Sequence, residues 1–303
     1  MKKILLFTLS LLLSTAAFAQ QSPKEIVIGS NSIRLKQDLT RGGAICYISL
    51  SNEDRNLVNI CDEGRYIQQS YYAGRSVNRQ DEGQCATWSP WSWNPIQVGD
   101  YARNRAEILD FSNKGRKSYV KCIPMQWDMN NKPAEATMEQ WTSIKGNVVH
   151  VRNRLTCNRT DDLYGEGVVC SQEIPAVYVI SALKNLYSYF GDKPFSHQPI
   201  KSTEVKQLIM NDPEHFWGLY RDTSEQWMAF VDDSGWGIAV YSPSAEAFLA
   251  GRFDSFLEGD EHHVACSYIA PIKQEALKKD SVMEYEYYLI IGTLDEMRKN
   301  IYK

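Results

Sequence analysis

Most of the short motifs that mark catalytic or metal-binding proteins are missing from this 303-residue sequence. It has no Gly-rich phosphate loop followed by Lys, no HExxH motif, no GxSxG nucleophile elbow and no calcium-loop pattern. No two cysteines have the CxxC spacing of a zinc site. The sequence therefore predicts neither a metal nor a cofactor.

An excess of basic residues is also missing. The chain has 33 Lys and Arg against 37 Asp and Glu, a formal net charge of -4, which becomes -6 without Lys2 and Lys3 of the leader described next. Binding to nucleic acid normally requires a basic surface. Nucleic acid is therefore a poor candidate partner, and protein partners are unknown.

The first 19 residues have the pattern of a secretory signal peptide. Lys2 and Lys3 precede an apolar run, and Ala17-Phe18-Ala19 fits a small-x-small cleavage site. We expect a secreted, periplasmic mature chain that begins at Gln20. No later stretch approaches the roughly 20 apolar residues of a membrane span. Because no linker or repeat divides residues 20–303, we expect one domain there.

The seven cysteines are an odd number, which leaves at least one thiol outside any disulfide. A chain of this length can bury a core without disulfide staples. We expect most of the seven to be small buried apolar residues, with at most one bridge.

Alternating apolar and polar residues recur along the chain. Between Asn147 and Thr156, Val149, Val151 and Leu155 share one face, while His150, Arg152 and Arg154 share the other. Similar strands are expected over 118–128, 136–144, 227–233, 236–242 and 283–292, with a hairpin turn at 232–235. We predict an all-β protein, folded as a large antiparallel β-sandwich.

Helical patterns are few. The stretch from Val177 to Phe190 has partly helical spacing, but its β-branched and Tyr content leaves strand or helix open. Thr293 and Glu296 form a capping-box pattern that predicts a short C-terminal helix through Ile301.

Two segments, 62–72 and 88–100, concentrate aromatic, amide, carboxylate and guanidinium groups. Aromatic planes cover the C–H face of a sugar ring, while amides, carboxylates and Arg hydrogen-bond to its hydroxyls. Only the 73–87 loop separates the two segments, which makes contact between them plausible. This mixture points to an oligosaccharide or polysaccharide ligand.

A resemblance agrees with this interpretation. Gly42-Gly43-Ala44-Ile45, the following strand to Leu50, Asn56-Leu57-Val58-Asn59 and Asp62-x-Gly64-Arg65 resemble the opening of galactose-mutarotase-like β-supersandwich proteins. The resemblance implies that fold, which aldose epimerases, polysaccharide lyase domains and glycoside hydrolase domains share. It does not choose among their chemistries.

The epimerase chemistry that the resemblance implies uses a pair of His residues with a Glu base. The five histidines of this chain do not match those motifs; they are His150, His197, His215, His262 and His263. Simple epimerase activity is therefore the less favoured of the implied activities.

Hydrolysis of a glycosidic bond uses two carboxyl groups, about 5 to 5.5 Å apart for retention or 6.5 to 9.5 Å for inversion. We favour Glu173, in Gln172-Glu173-Ile174-Pro175, and Asp100, at the end of the Trp-rich segment, as the acid and base. A turn role for Asp100 and a surface position for Glu173 are equally open. Glu139 lies on a strand face that is either a binding face or a solvated one.

The proposed substrate-binding residues come from the two dense segments. Gln69 and Tyr71 would share one face of a strand, and Gln68, Ser70 and Tyr72 the other; we favour Gln69. Arg65 either binds the ligand or pairs internally with Asp62. The complete predicted binding set is Asp62, Arg65, Gln69, Tyr71, Trp91, Trp93, Asn94 and Gln97.

The favoured function is thus a secreted glycoside hydrolase. A non-catalytic glycan-binding protein that uses the same Trp-rich loop is the alternative from another class. A polysaccharide lyase is a third possibility, in which Arg65 with Tyr71 or Tyr72, or the basic face of His150, Arg152 and Arg154, would neutralise and deprotonate a uronate.

Overall fold

The structure, a computed structural model, describes residues 23–209, 216–253 and 260–303, so the leader and His215 lie outside the described residues. Its elements in chain order are β1 (Glu25–Gly29), β2 (Ile33–Asp38), β3 (Ala44–Leu50), β4 (Ile67–Ser70), β5 (Ala73–Val77), β6 (Trp91–Trp93), β7 (Pro95–Ile96), β8 (Glu107–Asn113), β9 (Lys117–Ile123), β10 (Met125–Gln126), β11 (Ala136–Lys145), β12 (Val148–Cys157), β13 (Cys170–Ile180), β14 (Asn185–Tyr187), β15 (Ser202–Thr203), β16 (Gln207–Leu208), β17 (Gly218–Tyr220), β18 (Trp227–Val231), β19 (Trp236–Tyr241), β20 (Ala247–Phe253), β21 (Cys266–Glu275), β22 (Val282–Thr293) and the helix α1 (Leu294–Ile301). Two short 3-10 helices, Gln80–Glu82 and Ala86–Trp88, lie between β5 and β6.

The strands form two large sheets. Sheet 1 has eleven strands in the order β1-β2-β3-β4-β13-β21-β20-β16, with β17 beside β20 and with β7 between β4 and β10. Sheet 2 has nine strands in the order β15-β14-β18-β19-β22-β12-β11-β9-β8. Neighbouring strands are antiparallel except for the parallel pair β16 and β20. The predicted all-β sandwich is confirmed.

The main core fills the space between the two sheets. Ile67, Val177 and Ile269 of sheet 1 meet Val149 and Leu289 of sheet 2 in one buried cluster. The alternation in β12 is as predicted, because Val149, Val151 and Leu155 are buried while His150, Arg152 and Arg154 are more exposed. Burial of such side chains contributes about 1.5–3 kcal/mol each.

The outer faces of both sheets are partly covered. Helix α1 packs its Met297 and Ile301 against Ala239 and Ile290 of sheet 2. Its capping box is present, with the Thr293 hydroxyl accepting from the Glu296 N–H and the Glu296 carboxylate accepting from the Thr293 N–H. The C-terminal helix is therefore confirmed. On sheet 1 a smaller cluster around Tyr268 and Ala270 lies outside the main core.

Two further sequence predictions have clear outcomes. The hairpin between β18 and β19 turns at residues 232–235, where Gly235 has a φ of 79°. The ambiguous stretch from Val177 to Phe190 is not helical: it completes β13 and then forms β14. Its β-branched residues, Val177, Val179 and Ile180, pack on the pleated inner face of sheet 1.

The expectation that most cysteines are buried is wrong: Cys122, Cys157 and Cys266 are buried, whereas Cys46, Cys61, Cys85 and Cys170 are half-buried. Cys46, Cys61, Cys85, Cys122, Cys157 and Cys170 are thiols. Cys122 and Cys157 are buried in the main core, where burial raises the pKa of both thiols. No helix within residues 23–209, 216–253 and 260–303 has the length and apolar character to cross a membrane.

Candidate active site

The two dense sequence segments meet in space along one short strand pair. Ser70 of β4 pairs with Ile96 of β7. Beyond this pair the backbone N–H of Gln97 donates to the Gln69 carbonyl at 3.1 Å, and that of Val98 donates to the Gln68 side chain at 3.0 Å. The Trp-rich segment is thus attached directly to the strand that follows Arg65.

The two faces of β4 have the opposite roles to those expected. Gln69 points between the sheets, because its Nε2 donates to the Glu139 carbonyl of sheet 2 at 3.3 Å. The Tyr71 hydroxyl donates to Gln69 Oε1 at 2.8 Å, and the Tyr71 ring lies 6.3 Å from that of Tyr285. Both side chains are fully buried, so the assignment of Gln69 and Tyr71 to ligand contact is corrected: they belong to the core.

Three residues of the Trp-rich segment are also structural. Trp93 is fully buried, with its indole N–H donating to the Glu135 carboxylate at 3.2 Å. Asn94 donates to the Tyr71 carbonyl at 2.7 Å, and Gln97 donates to the Gly42 carbonyl and to Gln140 Oε1, each at 2.9 Å. All three side chains are enclosed, which leaves them no exposed group for a sugar.

Asp100 holds a turn together. Its Oδ1 accepts from the backbone N–H groups of Ala102 and Asn104, both at 2.9 Å, and its Oδ2 accepts from the N–H of Asn131 at 2.7 Å. The side-chain amide of Asn104 donates to the same carboxylate. Asp100 is fully buried, so the structure favours the turn role over the catalytic one.

Glu173 lies on the outer face of sheet 1, where a register shift interrupts the pairing of β13 with both of its neighbours. The Tyr268 hydroxyl donates to its Oε1. Burial raises the pKa of the Glu173 carboxyl, and hydrogen bonds from the Ser70 and Tyr268 hydroxyls oppose that rise. The side chain remains partly exposed, unlike that of Asp100.

Aromatic rings surround this carboxyl on the same face. The Tyr178 and Tyr268 ring centroids are 4.6 Å apart, and those of Trp217 and Tyr268 are 4.7 Å apart. Burial raises the pKa of Tyr72, and the negative charge of Glu173 raises it further. We call these residues, Tyr72, Glu173, Tyr178, Trp217 and Tyr268, the Glu173 patch.

Three tryptophans extend the patch in one direction. The Trp91 ring lies 6.4 Å from that of Tyr72 and 5.2 Å from that of Trp88, which lies 5.8 Å from the Trp127 ring. All three indoles are partly exposed. Trp91 donates from its indole N–H to Asn94 Oδ1 at 3.1 Å, which fixes the ring. We call Trp88, Trp91 and Trp127 the tryptophan arm.

Arg65 borders the patch on another side. Its guanidinium carbon lies 5.2 Å from the Tyr178 ring centroid and 4.9 Å from that of Phe253. It donates to the Val264 carbonyl at 3.3 Å, whereas Asp62 Oδ1 accepts from the Gly64 N–H at 2.9 Å. Asp62 therefore shapes the loop, and Arg65 retains hydrogen-bonding capacity beside Tyr178.

The basic strand face proposed for a lyase lies elsewhere. His150 contacts Glu286 at 2.8 Å on the outer face of sheet 2, and Arg152 stacks over Trp141 at 4.3 Å. Arg154 pairs with Glu284, and Glu139 accepts from the Tyr119 hydroxyl at 2.7 Å. These groups belong to the opposite side of the sandwich from Glu173.

The arrangement supplies one acid–base group and a broad aromatic surface. Within the described part of the chain, Glu173 is the carboxyl group that lies among the tyrosines. Its raised pKa favours a protonated carboxyl that can donate a proton to a leaving oxygen. Among the described residues, no cluster of His, Cys, Asp and Glu is arranged to hold a metal ion.

Several residues of this surface were missed in the sequence. Ser70 was missed, and Tyr72 was considered only for a lyase. Alternation with Gln69 and Tyr71 sorts these residues into two faces without saying which face is inside. Tyr268 lies in a strand stretch that is buried on both faces, so it has no alternating pattern. Trp217 precedes a three-residue strand and carries no local pattern.

Comparison with known proteins gives matches in structure alone. No protein-family model matches the chain, and no curated protein matches it. A galactose mutarotase-like protein from Lactobacillus casei ATCC 334 superposes with a TM-score of 0.51 at 12% identity, covering 88% of this chain and 99% of that one. The Slr1438 protein from Synechocystis sp. PCC 6803 gives 0.51 at 10% identity, covering 95% and 100%. These likenesses, at such low identity, show that the chain has the galactose-mutarotase-like β-sandwich fold.

Proposed function

We propose that this protein is a carbohydrate-active enzyme that cleaves a glycosidic linkage, with Glu173 as its acid–base group. The observation that carries the proposal is the position of Glu173: a half-buried residue whose carboxyl has a raised pKa, accepts a hydrogen bond from Tyr268 and is surrounded by aromatic rings. A fold shared with galactose mutarotase-like proteins is compatible with a sugar ligand but does not specify the reaction.

The saccharide would lie along the Glu173 patch and the tryptophan arm. Indole and phenol faces cover the C–H faces of sugar rings, and the edge-to-face series from Trp127 through Trp88 and Trp91 to Tyr72 extends over more than one ring and offers faces in different orientations. Arg65, stacked beside Tyr178, would donate hydrogen bonds to sugar oxygens. An extended ligand of several units fits this line better than a monosaccharide.

In the bond-breaking step, protonated Glu173 would donate its proton to the glycosidic oxygen as the bond from that oxygen to the anomeric carbon breaks. Water would add to the anomeric carbon and return a proton to the protein. The Tyr268 and Ser70 hydroxyls then stabilise the Glu173 carboxylate by donating to it. Asp100 has no part in this scheme, because its oxygens hold the turn at residues 102–104.

In the direct test, the protein is incubated with neutral and with uronic-acid polysaccharides. New reducing ends and near-ultraviolet absorbance are measured in the same samples. Hydrolysis yields reducing ends alone; elimination by a lyase adds an unsaturated product that absorbs. We expect reducing ends, lost in Glu173→Gln and retained in Glu107→Gln, a matched change at an exposed site on sheet 2. Full turnover by a folded Glu173→Gln protein would reject the proposal.

A glycan-binding protein without catalysis is the second candidate. It is favoured by the single carboxyl found among the tyrosines of the described chain, since most glycoside hydrolases use two. It predicts retention on a glycan column that Trp91→Ala abolishes and Glu173→Gln preserves, with no linkage cut by the wild-type protein.

Export to the periplasm, proposed from the leader pattern alone, is tested by sequencing the N-terminus of the protein recovered from cell fractions.

A further inference from the structure

We propose that a basic pocket at the edge of the sandwich binds a small oxyanion, namely phosphate, sulfate or a carboxylate. The pocket has a volume of about 260 Å³ and is lined by Lys184, Asn185, Val205, Lys206, Gln207 and Arg252. It holds three cationic side chains and two amides, and nothing in the proposed sugar reaction uses them. We call it the Arg252 pocket.

The fold brings these residues together from separate strands. Gln207 of β16 pairs with Arg252 of β20, and the Arg252 N–H donates to the Lys206 carbonyl at 2.9 Å. Ala250, two residues before Arg252, lies in the main core, so Arg252 points to the inner side of sheet 1. The neighbouring Phe253 points to the outer side, where it contacts Arg65. The Arg252 pocket is therefore on the other side of sheet 1 from the Glu173 patch.

The charges around the pocket are unevenly compensated. Lys184 pairs with Asp233 at 2.8 Å and Lys206 with Glu204 at 2.7 Å, both at exposed positions. Arg252 is more enclosed, and it donates from Nη2 to the Ser181 carbonyl at 3.0 Å. Its Nε is buried and has no hydrogen-bond partner. Burial lowers the pKa of Arg252, and a smaller electrostatic contribution from Cys266 opposes the fall.

An oxyanion in the pocket would compensate the charge of Arg252, although it would not reach Nε, which is enclosed. A buried charge is costly unless it is paired, and the planar guanidinium donates two parallel hydrogen bonds to an oxyanion. Lys184 and Lys206 line the same pocket, but Asp233 and Glu204 compensate their charges, so Arg252 is the main group that would hold the anion. The volume exceeds the about 30 Å³ that one water molecule occupies, which leaves room for a tetrahedral anion.

The anion has two possible sources, a free inorganic ion or an acidic group on a glycan. The test measures thermal unfolding and calorimetric binding with inorganic phosphate, with sulfate and with a sulfated or uronic-acid oligosaccharide, each against chloride at equal ionic strength. We expect at least one of these anions to bind in the calorimeter and to raise Tm more in the wild type than in Arg252→Gln, because a ligand that binds only the folded state stabilises it. The comparison with the variant is needed because sulfate and phosphate also stabilise folded proteins by exclusion from their surface. The anion that binds at the lowest concentration identifies the source.

Variants locate the binding. Arg252→Gln should weaken binding of the anion by about tenfold or more, the effect of losing a charged hydrogen bond. Arg252→Lys should weaken binding less, because it keeps the charge. Arg116→Gln, at an exposed arginine, is the matched control and should bind normally. If Arg252→Gln does not fold, Arg252→Lys and Lys206→Gln provide the comparison. The proposal is overturned if no anion binds the wild-type protein better than chloride, or if binding is unchanged in the folded Arg252 variants.

Discussion

The hydroxyl of Tyr268 on β21 donates a hydrogen bond to the carboxylate of Glu173 on the neighbouring strand β13. Burial of the same carboxyl raises its pKa, and this hydrogen bond partly opposes the effect. The balance between the two sets how much of Glu173 is protonated at a given pH. Tyr268 is therefore a positioning residue whose removal should be visible in a titration.

Replacing Tyr268 by Phe should raise the pKa of Glu173, because the variant loses a donor that favours the charged form. The limb of the pH–activity profile that reports Glu173 should move to higher pH, and the titration of its carboxyl carbon by NMR should move with it. Tyr241→Phe, at a partly exposed tyrosine on sheet 2, should change neither measurement. A shift in the opposite direction would contradict the assigned role of the hydrogen bond.

Glu173 should also affect the pH dependence of stability. The folded protein holds its proton more tightly than the unfolded chain, so the stabilisation is complete below the usual pKa near 4.5 and is lost as pH rises through the raised folded value. Over that interval the free energy of unfolding should fall in the wild type and fall less in Glu173→Gln. Urea denaturation at a series of pH values measures this, with Glu107→Gln expected to follow the wild type.

Asp100→Ala should destabilise the protein without changing the chemistry. It leaves the N–H groups of Ala102, Asn104 and Asn131 without the buried carboxylate that accepts from them. We expect a loss of about 2–4 kcal/mol in the free energy of unfolding. Asp81→Ala, at an exposed position, should cost little. If the folded Asp100 variant is instead stable and inactive, the catalytic role considered from the sequence returns.

Trp91→Ala should weaken binding of a glycan by about 1 kcal/mol or more, roughly fivefold, because it removes a ring from the middle of the aromatic line. Trp141→Ala removes a partly exposed indole from the opposite side of the sandwich and should leave binding unchanged. Affinity electrophoresis in gels that contain the polysaccharide measures both variants. Equal retention of the two would place the ligand away from the tryptophan arm.

The sequence predicts the fold well because strand patterns are local. Alternation in β12 and the capping box at Thr293 each depend on residues that are close in the chain, and both are found as expected. The faces of β4 are a harder problem. Each face contains Gln, and each contains a Tyr at its end, so polarity does not distinguish inside from outside. The buried partners of Gln69 come from distant strands, which no local pattern reveals.

Part of the site is also predictable, because some of its residues lie close together in the chain. The closeness of Glu173 to Tyr178 is visible in the sequence, and so is the aromatic content of residues 88–93. Trp93 and Asp100, however, resemble exposed sugar-binding groups until their distant partners, Glu135 and Asn131, are known. Burial of a polar or aromatic side chain depends on what the rest of the chain places around it.

The amide contacts of Gln97 have a mechanical consequence. The interdigitated core already resists sliding of the two sheets. Hydrogen bonds add a directional restraint, because a hydrogen bond breaks when its atoms move by an ångström or two. Gln97 beside sheet 1 donates to Gln140 of sheet 2 and accepts from the Gln69 backbone. Gln97 therefore restrains the position of sheet 1 relative to sheet 2 and keeps Ser70 and Tyr72 directed towards Glu173.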